Sequence, residues 1–371
     1  MSLLDRIVSE IRVRGPLSVA EFMELALYEP AAGYYAGAQQ RSGREGDFFT
    51  NVDVGPLFGE AIATQLSEMW DVLRMRGAKS FDVVEAGAGN GRLARDVMDA
   101  AAAHFPEFYR HIRLTLVERS APARAAQPAF LGPHMAMRPA LRETLPRAVS
   151  GVIFANELLD ALPVHVVTRT APGWREIVID ADGGALVESS RPLSLPALSE
   201  YLRAVEVDFP EGARVEVGLA ASEWMLAAAR TLQRGFLLLF DYGHHPGVAH
   251  STVHPSGTLT SYRAHRDEAG AWLTLPGERD LTASVDLAAI RRAAEAGGLL
   301  TLAVLDQTYF LLSLGLAARL ETGHDRGAVS RRLAARTLMM PGGLGSTMKV
   351  MVFATGVGAP ALRGTAPGRL T

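Results

Sequence analysis

Apolar residues recur at helical spacing over residues 3–13 and 17–28, and Gly15-Pro16 separates the two runs. Ser18, followed three residues later by Glu21, predicts a capping box at the start of the second helix. Another helix is expected from 56 to about 74. The pattern then changes to short contiguous apolar runs at 81–86, 112–118, 152–155 and 236–240, which read as strands covered on both faces. Helices over roughly 92–103, 220–233 and 285–297, and strands over 301–305 and 347–354, continue the alternation. Strands alternating with helices predict a doubly wound, mostly parallel α/β sheet.

Between 161 and 219 this rhythm breaks. Val164-His165-Val166-Val167, residues 174–179 and Val215-Glu216-Val217 predict extra antiparallel strands in a smaller inserted lobe. Residues 29–53 are rich in glycine and aromatics, and aromatics need a surface to pack on, so an ordered loop or lid is expected there. The expected organisation is N-terminal helices and lid over 1–55, a Rossmann-like domain over 56–160 and 220–360, an inserted substrate lobe over 161–219, and a flexible tail over 361–371.

Composition narrows the function classes. A net charge of -3 gives no general attraction to nucleic acid or to anionic membrane. Cysteine is absent, which excludes disulfides, thiolate metal ligands and a cysteine nucleophile, and suggests a reducing, cytoplasmic setting. The first residues do not read as a secretory signal, and the apolar run 235–240 is too short to span a bilayer, so no stable membrane insertion is expected. A homodimer stays open.

The sharpest local chemistry is Glu85-Ala86-Gly87-Ala88-Gly89-Asn90-Gly91, directly after the 81–86 run. Glycines after a core strand allow a tight turn and a close backbone approach to a ligand, and the following helix N-terminus is electropositive. Such a turn suits a nucleotide, a dinucleotide or S-adenosylmethionine; it also occurs with no ligand at all. Glu85 is placed to receive a ligand amine or an ordered water, and Glu118, at the end of the next strand, to accept two ribose hydroxyls. Helix capping or arginine pairing is the competing reading for each. The glycine spacing is not the Gly-x-Gly-x-x-Gly of dehydrogenases.

At these residues the chain resembles the MidA-like S-adenosylmethionine-dependent methyltransferases. The resemblance runs through Tyr28-Glu29-Pro30, Gly33-Tyr34-Tyr35, Gly46-Asp47-Phe48-Phe49-Thr50, Leu57-Phe58-Gly59-Glu60, the Glu85-to-Gly91 turn and Val117-Glu118-Arg119-Ser120. It continues through Ala155-Asn156-Glu157-Leu158-Leu159-Asp160-Ala161-Leu162-Pro163, Phe240-Asp241-Tyr242-Gly243 and the run from Gly257 to His265. It implies a class I methyltransferase sheet, S-adenosylmethionine as cofactor and a protein acceptor, since mitochondrial members methylate an arginine on a complex I subunit during assembly. Asp47, helped by Phe48 and Phe49, is placed to close over the cofactor, with an Asx turn in a structural loop as the competing reading, and Thr50 and Asn156 join Glu85, Gly87, Gly89, Gly91 and Glu118 as cofactor-binding candidates. Leu158 and Leu159 stand where phenylalanines are common, which reshapes an apolar wall and leaves the carboxylates intact.

Methyl transfer is an in-line displacement that needs alignment and no metal. His244-His245 and His254 read as loop histidines, with no compact ligand motif among them. Glu157 follows a core strand at the ligand-binding edge of a parallel sheet, where its carboxylate suits a planar guanidinium. Asp160 either completes that clamp or caps a helix. Asp241, Tyr242, Tyr262, Arg263 and His265 are candidate lining or rim residues for the acceptor, with packing and carboxylate pairing as the competing reading. A protein arginine methyltransferase is the leading reading. Methylation of another protein group or a small molecule, and a low-turnover assembly or scaffold protein, are its competitors.

Overall fold

A strand buried on both faces has no polar side to show, and the contiguous apolar runs assemble into a central sheet for that reason. The protein is described by a computed structural model over residues 1–36, 50–205, 207–244, 256–263, 266–267, 271–319 and 325–366. It divides into two compact units. One comprises Phe49–Leu158, Leu226–Tyr242 and Ala294–Thr371; the other comprises Met1–Phe48, Leu159–Met225 and Gly243–Ala293.

The first unit carries α1 (Leu57–Arg74), β1 (Phe81–Ala86), α2 (Arg92–His104), β2 (Ile112–Val117), α3 (Ala121–Leu131), β3 (Ala140–Arg142) and β4 (Val149–Asn156). After the excursion into the other unit follow β5 (Leu232–His244, its last two residues outside this unit), β6 (Leu300–Asp306), α4 (Gln307–Ser313), α5 (Arg326–Met339) and β7 (Met348–Thr355). The strands lie in the order β3-β2-β1-β4-β5-β7-β6. The first five are parallel, and β7 runs antiparallel to both β5 and β6. The dinucleotide-binding order is 3-2-1-4-5-6, with no reversed strand between the last two, so topology sets the dehydrogenase reading aside.

Register decides what meets at the edge. Ala86 lies level with Val117 and Ala155, and Asn156 lies level with Phe240. Gly87, Glu118, Glu157 and Asp241 therefore leave the same carboxyl edge, around the point between β1 and β4 where the strand order reverses and ligands of such sheets sit. Two glycines let the middle strands approach. A Cβ on Gly235 would fall 1.9 Å from the Gly151 carbonyl oxygen, and one on Gly151 would fall 2.1 Å from the Asp82 carbonyl oxygen. Aromatic edges seat the helices: Phe240 meets Phe58 of α1 and Phe310 of α4 at 5.0 and 5.3 Å between ring centroids.

The second unit pairs helices Leu3–Arg14 and Val19–Tyr28 with an antiparallel sheet of His165–Thr170, Gly173–Asp182, Ala185–Arg191, Arg214–Val217 and Leu17–Ser18. The expected capping box is present, with the Glu21 N–H donating to Ser18 Oγ at 3.1 Å and the Ser18 N–H to Glu21 Oε2 at 2.8 Å. Leu17 and Ser18 pair with Ile179 and Val178, so the N-terminal segment shares a sheet with the insertion. Thr260–Arg263, Arg266–Asp267 and Asp280–Thr282 form a separate three-stranded sheet.

Residues 243–293, expected with the Rossmann-like domain, cluster with the insertion and the N-terminal helices, and element boundaries also differ from expectation. The helix expected from 285 begins at Leu287, because Val285–Asp286 pair as a strand with Gly243–His244 and Asp286 accepts the N–H groups of Ala288 and Ala289. The tail expected to be loose from 361 is packed as far as Ala366: Leu362 is buried in the core and the Gly364 N–H donates to Gln65 Oε1 at 3.0 Å. Among the described residues no helix is long and apolar enough to cross a membrane.

Candidate active site

After β1 the backbone turns through Gly87, Gly89 and Gly91 at φ of 70°, 50° and 86°, a region that side chains with a Cβ rarely adopt. Gly91 heads α2 without a side chain to cap it. The Ala94 N–H, in the first turn of α2, faces the Glu85 carboxyl and works to lower its pKa. Glu85 Oε2 is buried with no hydrogen-bond partner among the described residues. Burial pushes the Glu85 carboxyl well above the usual carboxylate range, outweighing the Ala94 N–H, and the nearby Glu118 and Asp96 carboxylates add to the rise. A buried carboxyl with an orphaned oxygen calls for a donor such as an ammonium or a water.

Glu118 braces the same turn. Its Oε2 accepts the Gly89 N–H at 2.8 Å and its Oε1 the Ser120 N–H at 2.7 Å, while Gln127 Nε2 donates to the Gly89 carbonyl at 2.9 Å. Each carboxylate oxygen keeps a second lone pair, so ribose hydroxyls remain acceptable. A Cβ on Gly87 or Gly91 would press on Leu158 or Leu116 at 3.1 and 3.2 Å, whereas one on Gly89 would meet nothing within 4 Å. The turn is thus packed at its flanks and open at Gly89. Together with the unpartnered Glu85 oxygen, this fits the amino-acid and ribose parts of S-adenosylmethionine.

Glu157 follows β4 with φ of 53°, a left-handed conformation that is uncommon for a residue with a side chain and is held here by surrounding bonds. Its N–H donates to the Phe240 carbonyl at 2.8 Å. Its Oε1 accepts the Asn51 backbone N–H at 3.2 Å and Asn156 Nδ2 at 2.9 Å. Asn51 also donates through Nδ2 to Asn156 Oδ1 and to Gln307 Oε1, at 3.0 and 2.9 Å. Asp241 is buried and takes the Leu158 N–H at 3.2 Å and the Tyr242 N–H at 2.9 Å. Tyr242 packs against the core. Thr50 gives its hydroxyl to Asp53 Oδ2 at 2.9 Å in a capping box, and Asp53 pairs with Arg92 at 2.8 Å.

These contacts bring Thr50, Glu85, Gly87, Gly89, Gly91, Glu118, Asn156, Glu157, Asp241 and Tyr242 into one unit. Asp160, Tyr262 and Arg263 belong to the other. There Asp160 Oδ2 accepts the Thr282 hydroxyl at 3.0 Å, Tyr262 pairs with Asp267 and Asp280 in its sheet, and Arg263 pairs with Glu278 at 3.1 Å. Asp47, Phe48, Phe49 and His265 lie outside the described residues. Sequence reasoning missed Asn51, Gln307, Gln127 and the Asp53–Arg92 pair. Only Asn51 had a signal, as the residue directly after the Gly46-to-Thr50 motif.

Fold and site together define a Rossmann-like S-adenosylmethionine-dependent methyltransferase. Residues 61–304 match the family described as "Putative S-adenosyl-L-methionine-dependent methyltransferase". The chain belongs to this family, the MidA-like methyltransferases. A superfamily member from Burkholderia thailandensis, whose crystal structure holds S-adenosyl-homocysteine, is 30% identical with a TM-score of 0.90, over 99% of this chain and 95% of that one. The protein arginine methyltransferase NDUFAF7, mitochondrial, of Danio rerio is 30% identical over 357 residues, covering 86% of this chain and 78% of the relative. The Bos taurus protein of the same name is 29% identical over 363 residues, covering 87% and 76%. The Danio rerio and Bos taurus relatives are mitochondrial proteins, which overturns the cytoplasmic location expected from the sequence. A lack of cysteine reports on redox chemistry and does not name a compartment.

Proposed function

We propose that this methyltransferase transfers its methyl group to a guanidinium nitrogen of a protein arginine, with a respiratory complex I subunit as the acceptor that the family resemblance implies. Glu157 is the observation that carries the reading: a carboxylate at the ligand edge of the sheet, held by two N–H donors on one oxygen. The relatives' names, as protein arginine methyltransferases, support the same acceptor.

S-adenosylmethionine, when bound, supplies an electrophilic sulfonium methyl. The chain's own residues bind and align. Glu85 offers its buried oxygen to the amine, the glycine turn offers its open backbone face at Gly89, and Glu118 offers acceptors to the ribose. Glu157 pairs in plane with the guanidinium and so fixes the direction of the reacting nitrogen, which is where most of the rate gain of an in-line displacement lies. With the cofactor bound, the reacting nitrogen would gain the methyl group and lose one proton to solvent, so the methylated guanidinium would keep its charge and its pairing with Glu157. Asp241 and Tyr242, at the end of β5 in the unit that carries Glu157, are the proposed further acceptor contacts.

Incubating the protein with methyl-labelled S-adenosylmethionine and a native extract, followed by mass spectrometry of the labelled species, tests the proposal. Methylarginine on a protein is expected. Label on a small molecule or another side chain would change the acceptor class, and tight cofactor binding without any labelled product would favour an assembly or scaffold role.

A further inference from the structure

We infer that Asn51 and Gln307 are positioning residues that fix the orientation of the Glu157 carboxylate as a hydrogen-bond acceptor, so that the group it meets on a substrate is a cationic nitrogen donor. The inference rests on Glu157 being the acceptor-binding carboxylate.

The chain of bonds begins at a backbone carbonyl. The Leu338 oxygen, on α5, can only accept, and it takes an N–H of Gln307 Nε2 at 3.0 Å. The same amide nitrogen donates to Asn51 Oδ1 at 2.9 Å. Gln307 Oε1 is left to accept, and Asn51 Nδ2 donates to it at 2.9 Å. Both side chains are fully buried, at 0% exposure, so bulk water cannot stand in for a reversed partner. The second hydrogen of Asn51 Nδ2 goes to Asn156 Oδ1 at 3.0 Å. Asn156 is thereby turned with its own Nδ2 toward Glu157 Oε1, at 2.9 Å. The Asn51 backbone N–H adds the second donor to that oxygen at 3.2 Å.

Each amide in this chain has only one workable orientation. Reversing Gln307 sets its oxygen against the Leu338 carbonyl, and reversing Asn156 sets its oxygen against the carboxylate. Polarity set by a carbonyl of α5 is thus passed through three amides to Glu157. The outcome is an oxygen that receives two N–H groups and cannot donate. A carboxylate held this way pairs with guanidinium or ammonium and repels an acceptor-only group such as carboxylate or phosphate.

The test compares Gln307→Glu, Gln307→Met and Glu157→Gln with the unaltered protein. The probes are labelled S-adenosylmethionine for affinity and single-turnover label transfer into a native extract at saturating cofactor. Gln307→Glu keeps the size but replaces the donor to the Leu338 carbonyl and Asn51 Oδ1 with an oxygen, so both buried acceptors lose their N–H partner and the orientation of Asn51, and through it of Asn156, is no longer fixed. Its transfer rate is expected to fall by about tenfold or more, with cofactor affinity within about twofold of the unaltered protein. The rate should recover as pH is lowered and the new carboxyl takes up a proton, because a protonated carboxyl can again donate to Leu338. Gln307→Met interrupts the relay without setting an oxygen against those acceptors, and should lose less. If Gln307→Glu does not bind cofactor, Gln307→Met decides: a slowed transfer with cofactor affinity retained supports the inference. Transfer at the unaltered rate in the Gln307 variants, beside a slow Glu157→Gln, overturns it while leaving the arginine reading intact. Normal transfer by Glu157→Gln overturns both.

Discussion

Glu85 and Glu157 sit at the carboxyl ends of neighbouring strands, yet their surroundings ask opposite things of them. Glu85 is buried with one oxygen unpartnered, and burial raises its pKa. A carboxyl whose folded pKa lies above its unfolded value costs stability as pH rises from the ordinary carboxylate range through the folded value. Glu85→Gln removes that cost. In the absence of cofactor this variant is expected to melt higher than the unaltered protein at neutral pH, while its S-adenosylmethionine affinity falls by roughly tenfold with the loss of a charged acceptor. Thermal melting beside calorimetric titration checks both, and a lower melting temperature with unchanged affinity would contradict the reading. The glutamates and glycines of the site were legible because acidic residues bracketing a glycine turn carry a chemical signature. Asn51 and Gln307 were not. They are neutral amides that meet across 256 positions of sequence, and only the fold brings them together.

At the scale of elements, the buried strands announced themselves as contiguous apolar runs, and β1, β2, β4 and β5 sit where those runs lie. Ala185–Arg191 carried no such sign, since most of its residues are exposed and polar, and its place follows from pairing with Gly173–Asp182. Leu17–Ser18 is too short to show a period and is a strand only through its partner. Glu176, fully buried on Gly173–Asp182, shows what holds the antiparallel sheet. Burial pushes its carboxyl up, but hydrogen bonds from His165, Ser194 and Arg191 outweigh that and hold it down to about 2. Its folded pKa is depressed, so the stabilisation is fully present above about pH 4.5 and is lost as pH falls toward 2. The size is about 3 kcal/mol, and urea melts across that window should show the loss in the unaltered protein and little of it in Glu176→Gln. The central sheet has a steric requirement of its own: Gly151→Ala puts a methyl group into the Asp82 carbonyl, and should cost about 3 kcal/mol or more in urea denaturation.

The whole molecule is a methyltransferase chain of two compact units, and the described cofactor-binding candidates lie in the unit that carries the mixed sheet. Doubly wound topology was legible from strand–helix alternation, but the reversed β7 was not, because direction leaves no mark on an apolar run such as 348–355. That strand sets the chain apart from dinucleotide enzymes, and calorimetry should accordingly give S-adenosylhomocysteine binding with no comparable heat from NAD. Location within the cell was not legible at all. The central claim is that the donor and acceptor sides of this chemistry fall to different carboxylates, with Glu157 acting on an arginine acceptor. Single-turnover transfer by Glu157→Gln, at labelled S-adenosylmethionine concentrations that saturate it, tests this most directly. The account predicts a rate lower by roughly 10- to 100-fold with cofactor affinity unchanged and the residual label on arginine; weakened cofactor binding with a normal saturated rate would contradict it.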